Sequence, residues 1–352
     1  MSLVKSGTST LTISQSNTFS GDTAINGGVI SLSNDTANVS GLGSGNVSLN
    51  NGTLRMNSNS NSYNDAPWNL DVPSAAIGTL EVDARCDLRG KLTGSGTFRY
   101  RLPSGAVRAS IHGDWSGFSG TVEATSISGS AEFRISPDYN WPGLPAAALS
   151  LGNGITALWS GNLNTGAGTF VSFGELSGTA SSTLKGGTVS GRQITYRVGG
   201  RGTDATFAGT ISEQTNGLTN LIKTGDGTWT LSGAGNVNGD LTVESGTLAI
   251  TGSFTQLATK SSLVQDSAVL VLDGVLNSGN LAVADGGKLA GQGSLNGALV
   301  NDGLVELTSG SFDISGAVTN NGYFRVKSPA TFTATGGFTN NGKIGRASCR
   351  ER

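Results

Sequence analysis

The sequence predicts an all-β chain wound as a parallel β-helix, with about 20 residues in each coil. Three observations carry that expectation. Large apolar side chains recur at every second position in runs such as "STLTIS", "GTLRMN", "GTLEVD", "GTFRYRL", "GTWTLS" and "GTLAIT", and period two marks a strand with one buried face. The runs are short and bounded by Gly, Asn, Ser or Asp, residues that make tight corners. An Asn-based corner recurs as "NSG", "NDG", "NNG" and "NNG", with its glycines at Gly279, Gly303, Gly322 and Gly342. Steps of roughly twenty residues suit one circuit of three short strands, whereas a sandwich places hairpin turns about every 8–12 residues.

Composition agrees with a chain of corners. Among 352 residues there are 55 glycines, and charged residues make up only 13%, where ordinary domains carry about a quarter. The hydrophobic content of 36% is low, but its strict alternation is absent from disordered linkers. A net charge of -2 supplies no electrostatic footprint for nucleic acid. No apolar run reaches the length of a membrane-spanning helix, and "SLVKSGTST" after Met1 lacks the regions of a signal peptide. Met1 already sits inside a repeat, which suggests an internal start or a gene fragment.

The repeat is visible without gaps. "LVKSGTSTLTIS" from Leu3 returns as "LIKTGDGTWTLSG" from Leu221, and Lys5, Gly7, Thr10, Ile13, Gly21, Ile25, Gly28 and Ile30 meet Lys223, Gly225, Thr228, Leu231, Gly239, Val243, Gly246 and Leu248. The chain divides into N-terminal β-helix repeats (1–60), a middle β-helix segment with loop excursions (61–220) and C-terminal repeats (221–343). The excursions are the Pro-bearing "APWNLDVPSAAIG" and "SPDYNWPGLPAAA". Residues 344–352, within "KIGRASCRER", break the pattern and resemble a translated sequencing adapter. About 340 usable residues at about 20 per coil give about 17 coils, a continuous rod roughly 80 Å long at the spacing of paired strands. Asn320, Asn321, Asn340 and Asn341 then align in successive corners, where side-chain amides stack as a ladder.

"LVKSGTSTLTISQSNTFSGDTAINGGVISL" and "LIKTGDGTWTLSGAGNVNGDLTVESGTLAI" resemble the passenger-associated repeat, also called the autotransporter-associated β-strand repeat, of bacterial secreted and surface proteins. Asn17, Phe19, Ser20, Gly21, Thr23, Ile25, Asn26, Gly27 and Gly28 fall where that motif's core places them. The second copy departs from it, with Gly235 and Val237 at the asparagine and aromatic positions. The stretch from Trp68 to Gly209 resembles, more loosely, segments that accompany such repeats. The resemblance implies a right-handed parallel β-helix outside the cell or on the outer-membrane surface, exported through a C-terminal β-barrel or carried with a sorting domain. It implies no catalytic residues.

The single histidine, His112, has no nucleophile motif around it and reads as structural or solvent-exposed. With Cys349 in the adapter-like tail, Cys86 stands alone, too few for a disulfide or zinc site. Glu81, Asp83, Arg85 and Asp87 form the densest charged cluster, and a lyase or glycosidase site would need such groups to converge. Glu81 and Asp83 alternate with Leu80 and Val82, which reads as a solvated strand face. Arg85, Arg89, Arg99, Arg101 and Arg108 suggest a basic stripe for acidic glycans, weighed against a face of Arg–Asp/Glu pairs. Trp115, beside Asp114, is the aromatic candidate for stacking on a sugar; Trp68, Trp141 and Trp159 raise the same question. Trp229 reads as core, in the inward slot of Leu11, and core is also the favoured reading for Trp115 and Phe118. The isolated "DGG" at Asp285 is not a calcium repeat, and no metal or cofactor is expected. The leading expectation is a non-enzymatic extracellular passenger or stalk that aids secretion and display. The alternatives are an adhesin or polysaccharide-binding module, with extracellular polysaccharide or a host or matrix surface as partner, and a segment of a lyase-like enzyme.

Overall fold

A computed structural model describes residues 1–57, 64–83, 85–105, 108–136, 142–160, 170–187, 193–213 and 217–346. The alternating runs form strands that bury every second side chain. Thr53–Met56, Thr228–Leu231 and Leu304–Leu307 each run half-buried, buried, half-buried, buried. Every strand pairs in parallel with the strand one turn away, so equivalent positions stack along the axis. Leu11, Ile30, Leu54, Leu80, Tyr100, Ala124, Leu151, Gly178 and Phe207 form one such inward column. The product is a β-solenoid of about 14 turns and about 22 residues per turn.

Each turn has three sides. In the last complete turns they are Leu304–Leu307, Ser311–Ile314 and Val318–Asn320. Near the start, the third side is a short helix, Asp35–Ser40, which the alternation did not announce. Asn34 caps it by accepting the Ala37 N–H at 2.9 Å, and Ala37 and Asn38 point inward. The helix packs on Asn64–Ala66, the first strand of that side.

Turn length differs from the expected 20 residues, and the difference lies in the middle of the chain. Side chains that meet across adjacent turns are 26 residues apart at Arg55 and Glu81 and 28 apart at Asn153 and Ser181. They are 19 apart at Asn277 and Asn296 and at Asn301 and Asn320. Extra residues at the middle corners lengthen those turns, so the rod has fewer than the 17 expected. Gly279 also proves to occupy a different corner from the others. A Cβ there would meet Ala258 O and Lys260 O, whereas one on Gly322 would overlap Gly303 O and one on Gly342 would overlap Gly322 O. The wide first step of the Asn–Gly series therefore compares two corners. A second column shows the same crowding: a Cβ on Gly233, Gly252, Gly274 or Gly293 would strike the carbonyl of Gly209, Gly233, Gly252 or Gly274 respectively. Stacked corners without room for Cβ account for much of the glycine content.

The asparagine ladder forms as two rails. Inside, Asn301 Nδ2 donates to Asn320 Oδ1 at 2.6 Å and Asn320 Nδ2 to Asn340 Oδ1 at 2.7 Å, with Asn301 and Asn320 fully buried. Outside, Asn341 donates to Asn321 at 3.0 Å and Asn321 to Asp302 at 2.8 Å. The ladder of strands also passes the expected boundary at Lys343, because Lys343–Arg346 pairs with Tyr323–Val326. Residues 347–352, with Cys349, lie outside the described residues, as does Trp141 in the second Pro-bearing excursion. Among the described residues no helix is long and apolar enough to cross a membrane.

Candidate functional site

The five arginines do not form one stripe. Arg99 and Arg101 lie on a single strand, Thr97–Leu102, and each meets a carboxylate of a neighbouring turn. Arg99 Nε donates to Glu123 Oε2 at 2.8 Å, and Arg101 Nη1 pairs with Glu81. Glu81 also accepts from Arg55 Nε at 2.7 Å. Parallel stacking creates this alternation, since Arg55, Glu81 and Arg101 are in register on consecutive turns. Glu81, expected on a solvated face, is only 8% exposed because the two guanidinium groups cover it.

Arg85, Arg89 and Arg108 belong to another side. Arg89 reaches Asp65 at 3.1 Å, Asp87 at 3.4 Å and His112 Nδ1 at 3.2 Å. Burial, and then the charge of Arg108, pull Arg85 below its ordinary value, while Arg108 is exposed. Because a guanidinium only donates, His112 Nδ1 must accept from Arg89, which places the imidazole proton on Nε2, facing Asp87 Oδ1 at 3.4 Å. Both ring nitrogens are thus engaged by protein groups, and His112 acts as a bridge between turns. Cys86 is buried, and burial pushes its thiol up, away from the thiolate that reactive cysteines need.

Trp115 is not available to a sugar. It is 1% exposed, edge-on to Phe98 at 5.5 Å and 6.0 Å from Tyr100, in a cluster completed by Phe133. Trp68 and Trp159 are each 5% exposed. Trp229 lies in the core, where its Nε1 donates to Leu176 O at 3.0 Å, 53 residues earlier. Among the described residues no group of three His, Cys, Asp or Glu side chains is placed to hold a metal ion.

Two devices that alternation could not reveal appear in both copies of the repeat. Lys5 turns inward, and its Nζ donates to Ser6 O at 2.8 Å, Gly7 O at 3.0 Å and, from the next turn, Gly27 O at 3.3 Å. Lys223 does the same with Thr224 O at 2.8 Å, Gly225 O at 2.7 Å and Ser245 O at 3.1 Å. Among the described residues none of these six carbonyls accepts a backbone N–H, so each lysine supplies the protein donor for its corner. Lys223 is 1% exposed, and burial pushes it down to about 8, against the opposite pull of Asp226 and Asp204. Gly28 and Gly246, at φ 66° and 63°, let the following corner settle on this clamp. The second device is an aspartate bracket. Asp22 accepts the Asn46 N–H at 2.9 Å, and Asp240 accepts the Ser261 N–H at 3.0 Å, each from the next turn. The signal for both devices was present in the aligned copies, where Lys5 meets Lys223 and Asp22 meets Asp240.

No curated protein matches the chain. The family model of the passenger-associated-transport-repeat matches residues 3–32 and 221–250, the stretches that carry the two lysine clamps. The chain therefore contains two copies of the passenger-associated-transport-repeat within one parallel β-solenoid, an arrangement that fits an autotransporter passenger segment.

Proposed function

We propose that the chain is the rigid passenger stalk of a bacterial surface or secreted protein, aiding its export and holding it outside the cell. The observation that supports this most directly is the parallel stacking of strands turn upon turn, in which both repeats clamp their corner to the following turn. Such a chain gains stability turn by turn, so each turn formed outside the membrane templates the next and opposes backsliding of the chain. The export partner in this reading is an outer-membrane β-barrel, or a sorting domain in a secreted protein. A structural, non-enzymatic role fits the engagement of His112 and the pairing of Glu81, Asp65 and Asp87 with arginines. Glycan binding through Arg99 and Arg101 is disfavoured by their carboxylate partners.

The test is to place the chain between a signal peptide and an outer-membrane β-barrel and to follow its appearance on intact bacteria. Antibody-accessible chain that resists trypsin is the expected result. Periplasmic retention, or surface chain that trypsin digests rapidly, refutes the reading.

A further inference from the structure

The last turns carry a cationic surface of different construction from the Arg99–Arg101 face. Lys288, Leu304, Tyr323 and Lys343 stand in one outward column, with Glu306 and Arg325 in register beside it. Glu306 gathers three cations: Lys288 Nζ at 2.6 Å, Lys327 Nζ at 2.7 Å and Arg325 Nη1 at 3.2 Å. Its side chain is only 13% exposed, while those three cations remain 34–42% exposed. Lys343 has no acidic partner among the described residues; its Nζ lies 5.4 Å from the centre of the Tyr323 ring, and Arg325 lies 5.7 Å from it. Tyr323 is 41% exposed. Beside it is a concavity of about 540 Å³ lined by Lys288, Leu304, Tyr323 and Arg325, with Asp285 also in its lining.

The charge count differs between the two faces. Arg55, Arg99 and Arg101 are met by Glu81 and Glu123, whereas Lys288, Arg325 and Lys327 converge on Glu306 alone, with Asp266 and Asp285 at the adjoining corner. Three cations thus share one carboxylate beside an exposed aromatic ring, on a molecule whose net charge is -2. Glu306 contributes by gathering three like charges that would otherwise repel. A flat aromatic face flanked by cations suits a sugar ring that bears an anionic group, and the strand columns run along the rod, parallel to an extended polymer. The carboxylates beside these cations make the face poorly suited to nucleic acid, whose binding rests on neutralising many phosphates.

We propose that this face, centred on Tyr323 and Lys343, binds an extended anionic polysaccharide. The proposal is independent of the stalk reading, which stands whether or not the face binds. The test measures binding of the full chain to polygalacturonate, heparin and dextran at low and high salt, with single-stranded DNA as a further probe. Salt-sensitive binding to one or both anionic glycans is expected, with none to dextran; polygalacturonate alone assigns a carboxylate ligand and heparin alone a sulfate ligand. The exposed pair Tyr323→Ala and Lys343→Gln should weaken binding by about tenfold or more, and Lys343→Glu alone should do likewise. Arg99→Gln should leave binding unchanged, and thermal melts check that each variant is folded. Absence of glycan binding at low salt, equal binding to dextran, tighter binding to DNA, or folded variants that bind like the parent would each overturn the proposal.

Discussion

Replacing Lys223 with Met tests whether the clamp holds the repeat together. The substitution keeps the length and apolar stem of the side chain but leaves Thr224 O, Gly225 O and Ser245 O without their donor. At roughly 2 kcal/mol for each orphaned acceptor, the loss is about 6 kcal/mol. Removing the buried cation returns part of it. A group moved from 10.5 to about 8 is held charged at a cost of about 3 kcal/mol, at about 1.4 kcal/mol per unit. The net expectation is a destabilisation of about 3 kcal/mol near neutral pH. Urea unfolding followed by circular dichroism measures it, and hydrogen exchange of residues 224–246 locates it, since a solenoid opens locally. The pH dependence has a definite sign. Between about 8 and 10.5 the unfolded chain keeps the lysine proton that the folded chain has released, so this group adds stability as pH rises through that window and adds none below it. The advantage of the parent over Lys223→Met should therefore widen from pH 7 to pH 10. Equal stability at pH 7 refutes the account of the clamp, and an advantage that narrows as pH rises refutes the lowered value of the lysine.

Three further outcomes follow from the same geometry. Gly252→Ala, which drives a Cβ into Gly233 O, should cost about 3 kcal/mol by overpacking, whereas Gly117→Ala, with open space around it, should change the unfolding midpoint little. Asn320→Ala removes the middle of the inner amide rail and should cost about 2 kcal/mol in urea unfolding, with exchange quickening in the turns on both sides. Glu306, lowered to about 2 first by its hydrogen bond from Lys288 and then by that from Lys327, should contribute stability that is complete above pH 4.5 and lost as pH falls towards 2. Solvent screening of its half-exposed partners reduces that to about 1 kcal/mol, and comparing acid unfolding of the parent with Glu306→Gln measures it.

The fold was legible because period-two alternation and corner glycines are local properties that stacking simply repeats. Thr228–Leu231 needs only its own sequence to show which side chains turn inward, and Asn320 needs only Asn340 at the coil period to show its partner. Turn length was less legible. Extra residues at a corner leave the strands unchanged, so Arg55 and Glu81 can meet across 26 residues while Asn301 and Asn320 meet across 19. Partnering between turns was the least legible, since a one-turn difference in register separates a basic stripe from a row of ion pairs. Arg99 and Arg101 follow each other closely in sequence, but Glu123 and Glu81 lie 24 and 20 residues away on opposite neighbours.

The first repeat copy offers a rule for reading such faces. Within residues 3–32 the charged side chains are Lys5 and Asp22, and both recur in the second copy as Lys223 and Asp240. In a chain this poor in charge, the two charged residues shared by the copies make the same bonds in both. Here each one crosses to the next turn, the lysine to a carbonyl and the aspartate to an N–H. Both bonds satisfy backbone groups at corners, where the strand ladder is interrupted and has no partner to offer. The charges thus help complete the hydrogen bonding of the rod at the places where parallel pairing fails, a task the aspartates share with Asn220, which accepts the Asp240 N–H at 2.9 Å.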